Sequence, residues 1–221
     1  MTGRVFRSMS LAVLFLASIA WTPAAWAHDP KRHAPPAAAP PASAKPPGDA
    51  GPKTPLRLDE GEQRRYFTDT ELVDQDGRKL RFYTDVLKGR LVLISFIYTS
   101  CTDICPILMH NLGDVQELLG DAFGKDVFFV SISVDPEDDT PKELKAYGER
   151  YDAKPGWTFL TGGKGNVDRV IKRFGEWKED FEDHSMIFLL GDVKNARWSK
   201  MRGDSPPEVV AVRLRDLLER R

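Results

Sequence analysis

Four mainly apolar runs along the chain predict buried β-strands. They occupy residues 91–98, 127–134, 157–160 and 185–190. Runs of four to eight residues that are apolar on both faces are typical of strands covered by helices on both sides. The pattern therefore predicts the interior of a largely parallel sheet.

Between these runs, apolar residues recur at intervals of three and four, which predicts amphipathic helices. The inward-facing positions are Leu108, Leu112, Val115 and Leu119; Leu144, Tyr147 and Tyr151; Val167, Val170, Ile171 and Phe174; and Val210, Leu214 and Leu217. Asp139 or Thr140 is the candidate N-cap of the second helix, because Pro141 suits a first helical turn. Pro206 and Pro207 open the last helix in the same way.

A β-hairpin is predicted over residues 66–90, ahead of the first buried run. Residues 71–74 and 79–82 flank Gln75-Asp76-Gly77-Arg78, and Asp-Gly is a favoured two-residue hairpin turn. A further turn is predicted to start at Gly191-Asp192. A hairpin followed by alternating strands and helices predicts the α/β class, a sheet with flanking helices and an N-terminal β-hairpin.

The two cysteines of the chain, Cys101 and Cys105, lie between the first buried run and the helix that follows it. A cysteine pair at a strand-to-helix turn is typical of the thioredoxin-like architecture. We expect both sulfurs to stay in phase with the apolar stripe and to face the same way. The N–H groups of a helix start favour the thiolate, which is both the nucleophile and the metal-binding form.

The spacing of these cysteines leaves three interpretations open. Three intervening residues leave room for a metal between the sulfurs, and two thiolates with an imidazole form a soft ligand set that selects Cu(I). The pair can instead exchange disulfides with a partner through a mixed disulfide. A structural disulfide or two core thiols is the third interpretation, but a bridge at one helix start would brace little of the chain.

Charge and the N-terminal sequence restrict the function further. The formal net charge of −1 over 221 residues argues against a nucleic-acid-binding protein. Arg4 and Arg7, the apolar stretch 11–20 and Ala25-Trp26-Ala27 predict a cleavable signal peptide over residues 1–27. The apolar stretch is shorter than the roughly 20 residues of a spanning helix, which favours cleavage over an uncleaved anchor. We therefore expect a periplasmic or otherwise exported protein, where a disulfide can persist.

The sequence divides into three segments. After the signal peptide, residues 28–58 are rich in Ala and Pro and predict a disordered tether. His28 and His33 at its start are either a copper-binding pair or incidental polar residues. Residues 59–221 contain all of the predicted strands and helices, and their hydrophobic content suffices for one folded domain.

Three motifs resemble the signatures of the Sco/SenC family of copper proteins. Thr99–Pro106 is similar to the family's T-x-C-x-x-x-C-P motif, and Ser131–Pro141 contains its S-x-D-P-x-x-D-T-P segment. Asp183-His184-Ser185 is similar to the family's D-H-S before the last core strand. The motifs come in the family's order and span about residues 66–220.

The resemblance implies a thioredoxin-like domain that binds copper through Cys101, Cys105 and His184. It also implies delivery of the copper to an acceptor, a subunit of a respiratory cytochrome oxidase whose copper site is being assembled. We therefore expect a metallochaperone rather than an enzyme, and thiol-disulfide reductase activity stays open. The alternative is a thiol-disulfide oxidoreductase in which Cys101 and Cys105 are the redox pair that keeps the acceptor's cysteines reduced.

Residues outside the cysteine pair complete the predicted site. In thioredoxin-like folds the loop before the late core strand packs beside the cysteine turn, and His184 lies in that loop. Asp135, at the end of a buried strand, either orients His184 or contacts a partner, or it belongs to an acidic loop that caps the next helix. The acidic stretch at residues 177–183 either attracts a cationic partner or is a solvated loop.

Overall fold

The computed structural model describes residues 58–183 and 186–221. These residues form one seven-stranded sheet with helices packed against both faces. In chain order the elements are α1 (Glu60–Phe67), β1 (Glu71–Asp74), β2 (Lys79–Arg81), β3 (Leu91–Ile97), α2 (Cys105–Leu119), β4 (Val127–Ser133), α3 (Pro141–Arg150), β5 (Trp157–Thr161), α4 (Lys164–Phe174), β6 (Ile187–Asp192), β7 (Arg197–Arg202) and α5 (Pro207–Glu219). A π-helix at Phe82–Leu87 and 3-10 helices at Gly120–Ala122, Phe181–Asp183 and Val193–Asn195 complete the set.

Several predictions fall on residues that lie outside this description. They are the signal peptide over residues 1–27, nearly all of the tether with His28 and His33, and the proposed ligand His184. Within 58–183 and 186–221, no helix combines the length and the apolar character needed to cross a bilayer.

The sheet has the strand order β2-β1-β5-β4-β3-β6-β7. Its centre is parallel, because β3, β4 and β5 are joined by the crossover helices α2 and α3. The outer strands are antiparallel: β6 pairs with β3, β7 with β6, β1 with β5 and β2 with β1. This is the thioredoxin-like α/β architecture predicted from the sequence, and the N-terminal hairpin extends one edge of the sheet.

Both faces of the central strands are buried, as their uninterrupted apolar runs predict. All seven residues of β3 are buried, so its side chains alternate between two separate cores. The core beneath α2, α3 and α5 includes Leu93, Leu112, Phe129, Tyr147 and Leu214. The core beneath α1, α4 and the π-helix includes Phe67, Phe82, Ile94, Ile132 and Val170. The predicted helical stripes therefore point inward on both sides of the sheet.

The hairpin is shorter than predicted because helical residues occupy both ends of the predicted 66–90 span. α1 ends at Phe67, and the π-helix begins directly after β2. A capping box starts α1: the Asp59 carboxylate accepts from the Glu62 N–H at 2.7 Å, and the Glu62 carboxylate accepts from the Asp59 N–H at 2.8 Å. Of the residues of α1, only Gln63 and Phe67 are buried. The helix therefore needs almost no apolar stripe, and its sequence shows none.

The predicted turn at Gly191-Asp192 is wrong, because both residues end β6. They pair with Trp198 and Arg197 of β7, an edge strand that the sequence pattern did not predict. The turn lies at Val193–Asn195 instead. Gly191 fits here because a Cβ at this position would lie 2.4 Å from the Trp198 ring. β7 has no fully buried residue, which explains its lack of an apolar run.

Candidate functional site

The two cysteines meet at the C-terminal end of β3, where the chain turns into α2. α2 begins at Cys105, so Cys101 lies in the preceding turn and the helical spacing assumed from the sequence does not apply to the pair. The turn nevertheless brings them together, because the Cys105 N–H donates to the Cys101 Sγ at 3.4 Å. Ile104, the N-cap residue, has no capping side chain, and the sulfur accepts this helix-start N–H in its place. Both cysteines are reduced thiols, and both are buried.

The two thiols differ strongly in pKa. Burial raises the pKa of Cys101, but the backbone N–H groups of Cys105 and Asp103 and the Cys105 and Tyr98 side chains outweigh it, and the pKa falls to about 7. Burial raises the pKa of Cys105 to about 12, and the charges of Cys101 and Asp139 add to this effect. The prediction that the helix start favours the thiolate is confirmed for Cys101 and wrong for Cys105.

This difference predicts selective alkylation. In the reduced protein, iodoacetamide is expected to modify Cys101 first, with a rate that rises as the pH increases through about 7, because only the thiolate is nucleophilic. Fragment-ion mass spectrometry identifies the modified cysteine. Tyr98→Phe removes a donor to the Cys101 sulfur, so the midpoint of the rate profile is expected to move to higher pH. Equal rates for both cysteines at neutral pH would contradict this assignment.

An aromatic contact ties the loop after α4 to the cysteine turn. The Tyr98 hydroxyl hydrogen-bonds to the Cys101 sulfur; this bond, followed by burial, raises the pKa of Tyr98 above its usual value. The Phe181 ring packs edge-on against the Tyr98 ring, with centroids 5.2 Å apart. The chain just before position 184 is thereby held against the residue that contacts Cys101.

The chain just after position 185 is held on the other side of the site. The Met186 carbonyl accepts from the Gly203 N–H at 3.0 Å. The Gly203 carbonyl in turn accepts from the Asn111 side chain of α2 at 3.1 Å. Both ends of the short segment that contains His184 are thus attached to elements that carry or adjoin the cysteines.

The predicted three-ligand set is only partly described. Cys101 and Cys105 come together as predicted, whereas His184 lies outside the described residues. Among residues 58–183 and 186–221, no group of three or more His, Cys, Asp or Glu side chains is arranged to hold a metal ion. The ligand set of Cys101, Cys105 and His184 therefore stays a prediction.

A buried carboxylate that the sequence analysis treated only as a candidate cap belongs to this site. Asp139 is 1% exposed, and its Oδ1 accepts from the Thr99 N–H at 3.1 Å and from the Thr99 hydroxyl at 2.5 Å. Its Oδ2 accepts from the Ser133 hydroxyl at 2.6 Å. Asp139 therefore joins the cysteine turn to the end of β4, and Thr140 caps α3 by accepting from the Glu143 N–H.

Asp135 lies beside this network, two residues beyond Ser133, the last residue of β4. Its N–H donates to the Ser133 Oγ at 3.0 Å, and its side chain lines a cavity of about 100 Å³ together with Trp177 and Phe181. Burial raises the pKa of Asp135, and the neighbouring carboxylates add to the rise. Because Thr140 caps α3, Asp135 does not, and its predicted contact with His184 stays a prediction.

The segment after α4 contains one buried carboxylate, just before the acidic stretch at residues 177–183, and four exposed ones within that stretch. Glu176 is 6% exposed and forms an ion pair with Lys200 of β7. Glu179, Asp180, Glu182 and Asp183 are exposed. These four agree with the interpretation of a solvated loop.

Comparison with known proteins gives consistent matches over the folded domain. A family model described as SCO1/SenC matches residues 59–219. The SCO2-like protein of Rickettsia conorii is 39% identical over 106 residues, which are 48% of this chain and 49% of that protein. The matched region thus spans about half the length of this relative.

Two solved structures are similar in fold. The structure of Bradyrhizobium japonicum ScoI with copper bound is 29% identical and has a TM-score of 0.57, covering 67% of this chain and 96% of that one. BsSco, described as a member of the Sco family of cytochrome c oxidase assembly proteins with a disulfide switch, is 26% identical with a TM-score of 0.59. That match covers 76% of this chain and 97% of BsSco.

Proposed function

Because the chain belongs to the SCO1/SenC family, we propose that it is an exported copper chaperone that binds copper through Cys101, Cys105 and His184. Copper is the cargo, and the acceptor we favour is the copper site of a respiratory cytochrome c oxidase. The observation that carries this proposal is the cysteine turn, where two reduced thiols adjoin the loop that leads to His184. The copper in the related ScoI structure and the description of BsSco as an oxidase assembly protein support it.

The donor set fits a soft metal ion. Thiolates and imidazole are the ligands that Cu(I) prefers, and the described turn supplies two sulfurs from adjacent positions of one site. The pKa of about 12 at Cys105 means that copper must displace a proton from this thiol at neutral pH. Copper affinity is therefore expected to fall as the pH is lowered.

Chain connectivity supports His184 as the third ligand. His184 is three residues from Phe181 and two residues from Met186, and an extended chain spans at most about 3.6 Å per residue. Only a short length of chain therefore separates His184 from either anchor. Phe181 packs on Tyr98, which contacts Cys101, and Met186 is linked through Gly203 to α2, so both anchors of the segment that carries His184 adjoin the cysteine turn.

Loading depends on the redox state of the cysteines. Oxidation joins the two sulfurs and releases two electrons and two protons, which leaves no thiolate for the metal. The reduced pair binds copper, and the acceptor's cysteines then take it by stepwise ligand exchange. Export to an oxidising compartment makes this dependence physiologically relevant.

Metal analysis of the full chain tests the proposal. The reduced protein is mixed with excess Cu(I), desalted without oxygen and analysed for copper. We expect one copper per chain, and none in the protein whose cysteine pair has first been oxidised. Failure of the reduced protein to retain more copper than the oxidised protein would overturn the proposal.

The contact between Phe181 and Tyr98 gives a prediction about the loop. Phe181→Ala is expected to lower Cu(I) affinity on the order of tenfold, because the segment carrying His184 loses its anchor. Phe128→Ala is the matched control, since Phe128 is also partly buried but packs under Arg90 away from the turn. Competition with a chromophoric Cu(I) chelator measures the Cu(I) affinity of the two variants. Equal affinities of the two variants would argue against the loop's role.

A thiol-disulfide oxidoreductase is the second candidate, and the pKa of about 7 at Cys101 favours it. The Cys101 thiolate would attack a partner's disulfide and release one partner thiolate. Cys105, after losing its proton, would then attack the mixed disulfide, forming the Cys101–Cys105 bridge and releasing the second thiol. His184→Ala separates the functions: loss of copper with retained disulfide reduction would show two independent activities.

A further inference from the structure

Asp139 is a buried carboxylate whose hydrogen bonds come from uncharged groups. Its donors are the backbone N–H and hydroxyl of Thr99 and the hydroxyl of Ser133. None of the ion pairs among residues 58–183 and 186–221 involves Asp139. Among the described residues, no cation therefore lies within ion-pair distance of this carboxylate, and burying a carboxylate charge without a paired cation costs stability.

The position of this charge places it against the cysteine turn. Thr99, which donates twice to Asp139, is only two residues before Cys101. A charge on this carboxylate therefore acts on any charge at the cysteine turn. Because the carboxylate is buried, water screens this interaction less than it would screen a surface charge.

A fixed negative charge discriminates between the two oxidation states of bound copper. Two thiolates and a neutral imidazole give a Cu(I) site a net charge of −1, whereas the same ligands give a Cu(II) site a net charge of zero. A nearby anion therefore repels the negatively charged Cu(I) site and leaves the neutral Cu(II) site unaffected. It therefore shifts the equilibrium of Cu(II) plus one electron to Cu(I) toward the oxidised side.

We propose that Asp139, fixed by Thr99 and Ser133, is a positioning residue whose charge biases copper at the cysteine turn toward Cu(II). The inference rests on the proposed function, because it assumes copper at Cys101 and Cys105. It deepens that function, since a site that tolerates Cu(II) retains its cargo when an exported protein meets oxidants. By Coulomb's law in a partly buried site, the charge changes the ratio of the two affinities on the order of tenfold.

The test is Asp139→Asn in the full chain. The Asn carbonyl still accepts from Thr99, and its amide can donate to the Ser133 Oγ, so the substitution removes the charge and keeps the contacts. The midpoint potential of the copper couple is measured by redox titration with mediators, following the thiolate-to-Cu(II) absorption band. We expect the potential to rise, with the equilibrium shifted toward Cu(I) on the order of tenfold.

Three further variants separate charge from structure. Asp138→Asn removes an exposed charge from the same loop, so its shift is expected to be less than about twofold. Thr99→Val keeps the Asp139 charge and removes its hydroxyl donor, so the potential is not expected to rise. Asp139→Ser removes the charge in a smaller side chain and is expected to act like Asp139→Asn even if the latter folds poorly.

The outcomes are distinct. An unchanged potential in Asp139→Asn, or an equal rise in Asp138→Asn or Thr99→Val, would overturn the role of Asp139 and leave the copper proposal intact. A parent protein that binds no copper would overturn both proposals at once.

Discussion

Replacement of Cys101 or Cys105 by Ser is expected to lower the Cu(I) affinity of the reduced protein on the order of a thousandfold, about 4 kcal/mol. A hydroxyl is a hard, protonated ligand at neutral pH, so each substitution removes one of two soft donors. His184→Ala is expected to lower the Cu(I) affinity on the order of a hundredfold, because one imidazole is lost and both thiolates remain. Competition with a chromophoric Cu(I) chelator at fixed pH measures all three variants.

His110→Ala is the matched control for these ligand variants. His110 is exposed on α2 and packs edge-on against Tyr151, so its loss is expected to leave Cu(I) affinity unchanged. If His184→Ala kept the parent affinity, the third ligand would lie elsewhere. If both cysteine variants kept it, copper would not bind at the turn at all.

Phe129→Ala is expected to destabilise the domain by about 3–5 kcal/mol and to lower its Tm by about 10 °C. Phe129 is fully buried in β4, and its ring contacts Phe123 at 4.8 Å and Trp157 at 5.4 Å between centroids. Truncation therefore leaves a cavity beneath α2 and α3. Urea unfolding followed by circular dichroism measures the free energy of unfolding.

Phe128→Ala is the control for this prediction, because Phe128 is the next residue along the strand and only partly buried. Loss of the Phe128 ring is expected to lower the free energy of unfolding by less than half of the amount expected for Phe129→Ala. Equal destabilisation by the two variants would contradict the assignment of Phe129 to the buried core and of Phe128 to a partly buried position at the start of β4.

The central strands and helices could be predicted because burial on both faces requires long apolar runs. β3 is buried throughout, and the stripes of α2, α3, α4 and α5 face one of the two cores. The cysteine turn and the alternation of elements around it followed from the same patterns, and the family motifs added copper binding with His184 as a ligand. Such signals depend only on local composition and spacing.

The remaining features depend on contacts between distant segments. β7 is an edge strand with a polar pattern, so only its pairing with β6 defines it. Asp139 precedes a helix and fits the pattern of a cap, but its partner Thr99 is 40 residues away in the sequence. The different pKa values of Cys101 and Cys105 arise from burial and from individual N–H donors, which spacing alone does not specify.

X-ray absorption spectroscopy at the copper edge tests the proposed site most directly. The Cu(I)-loaded full chain is expected to give two sulfur neighbours and one nitrogen neighbour, and His184→Ala is expected to lose the nitrogen while keeping both sulfurs. Copper without sulfur neighbours, or a nitrogen neighbour that persists in His184→Ala, would contradict binding through Cys101, Cys105 and His184.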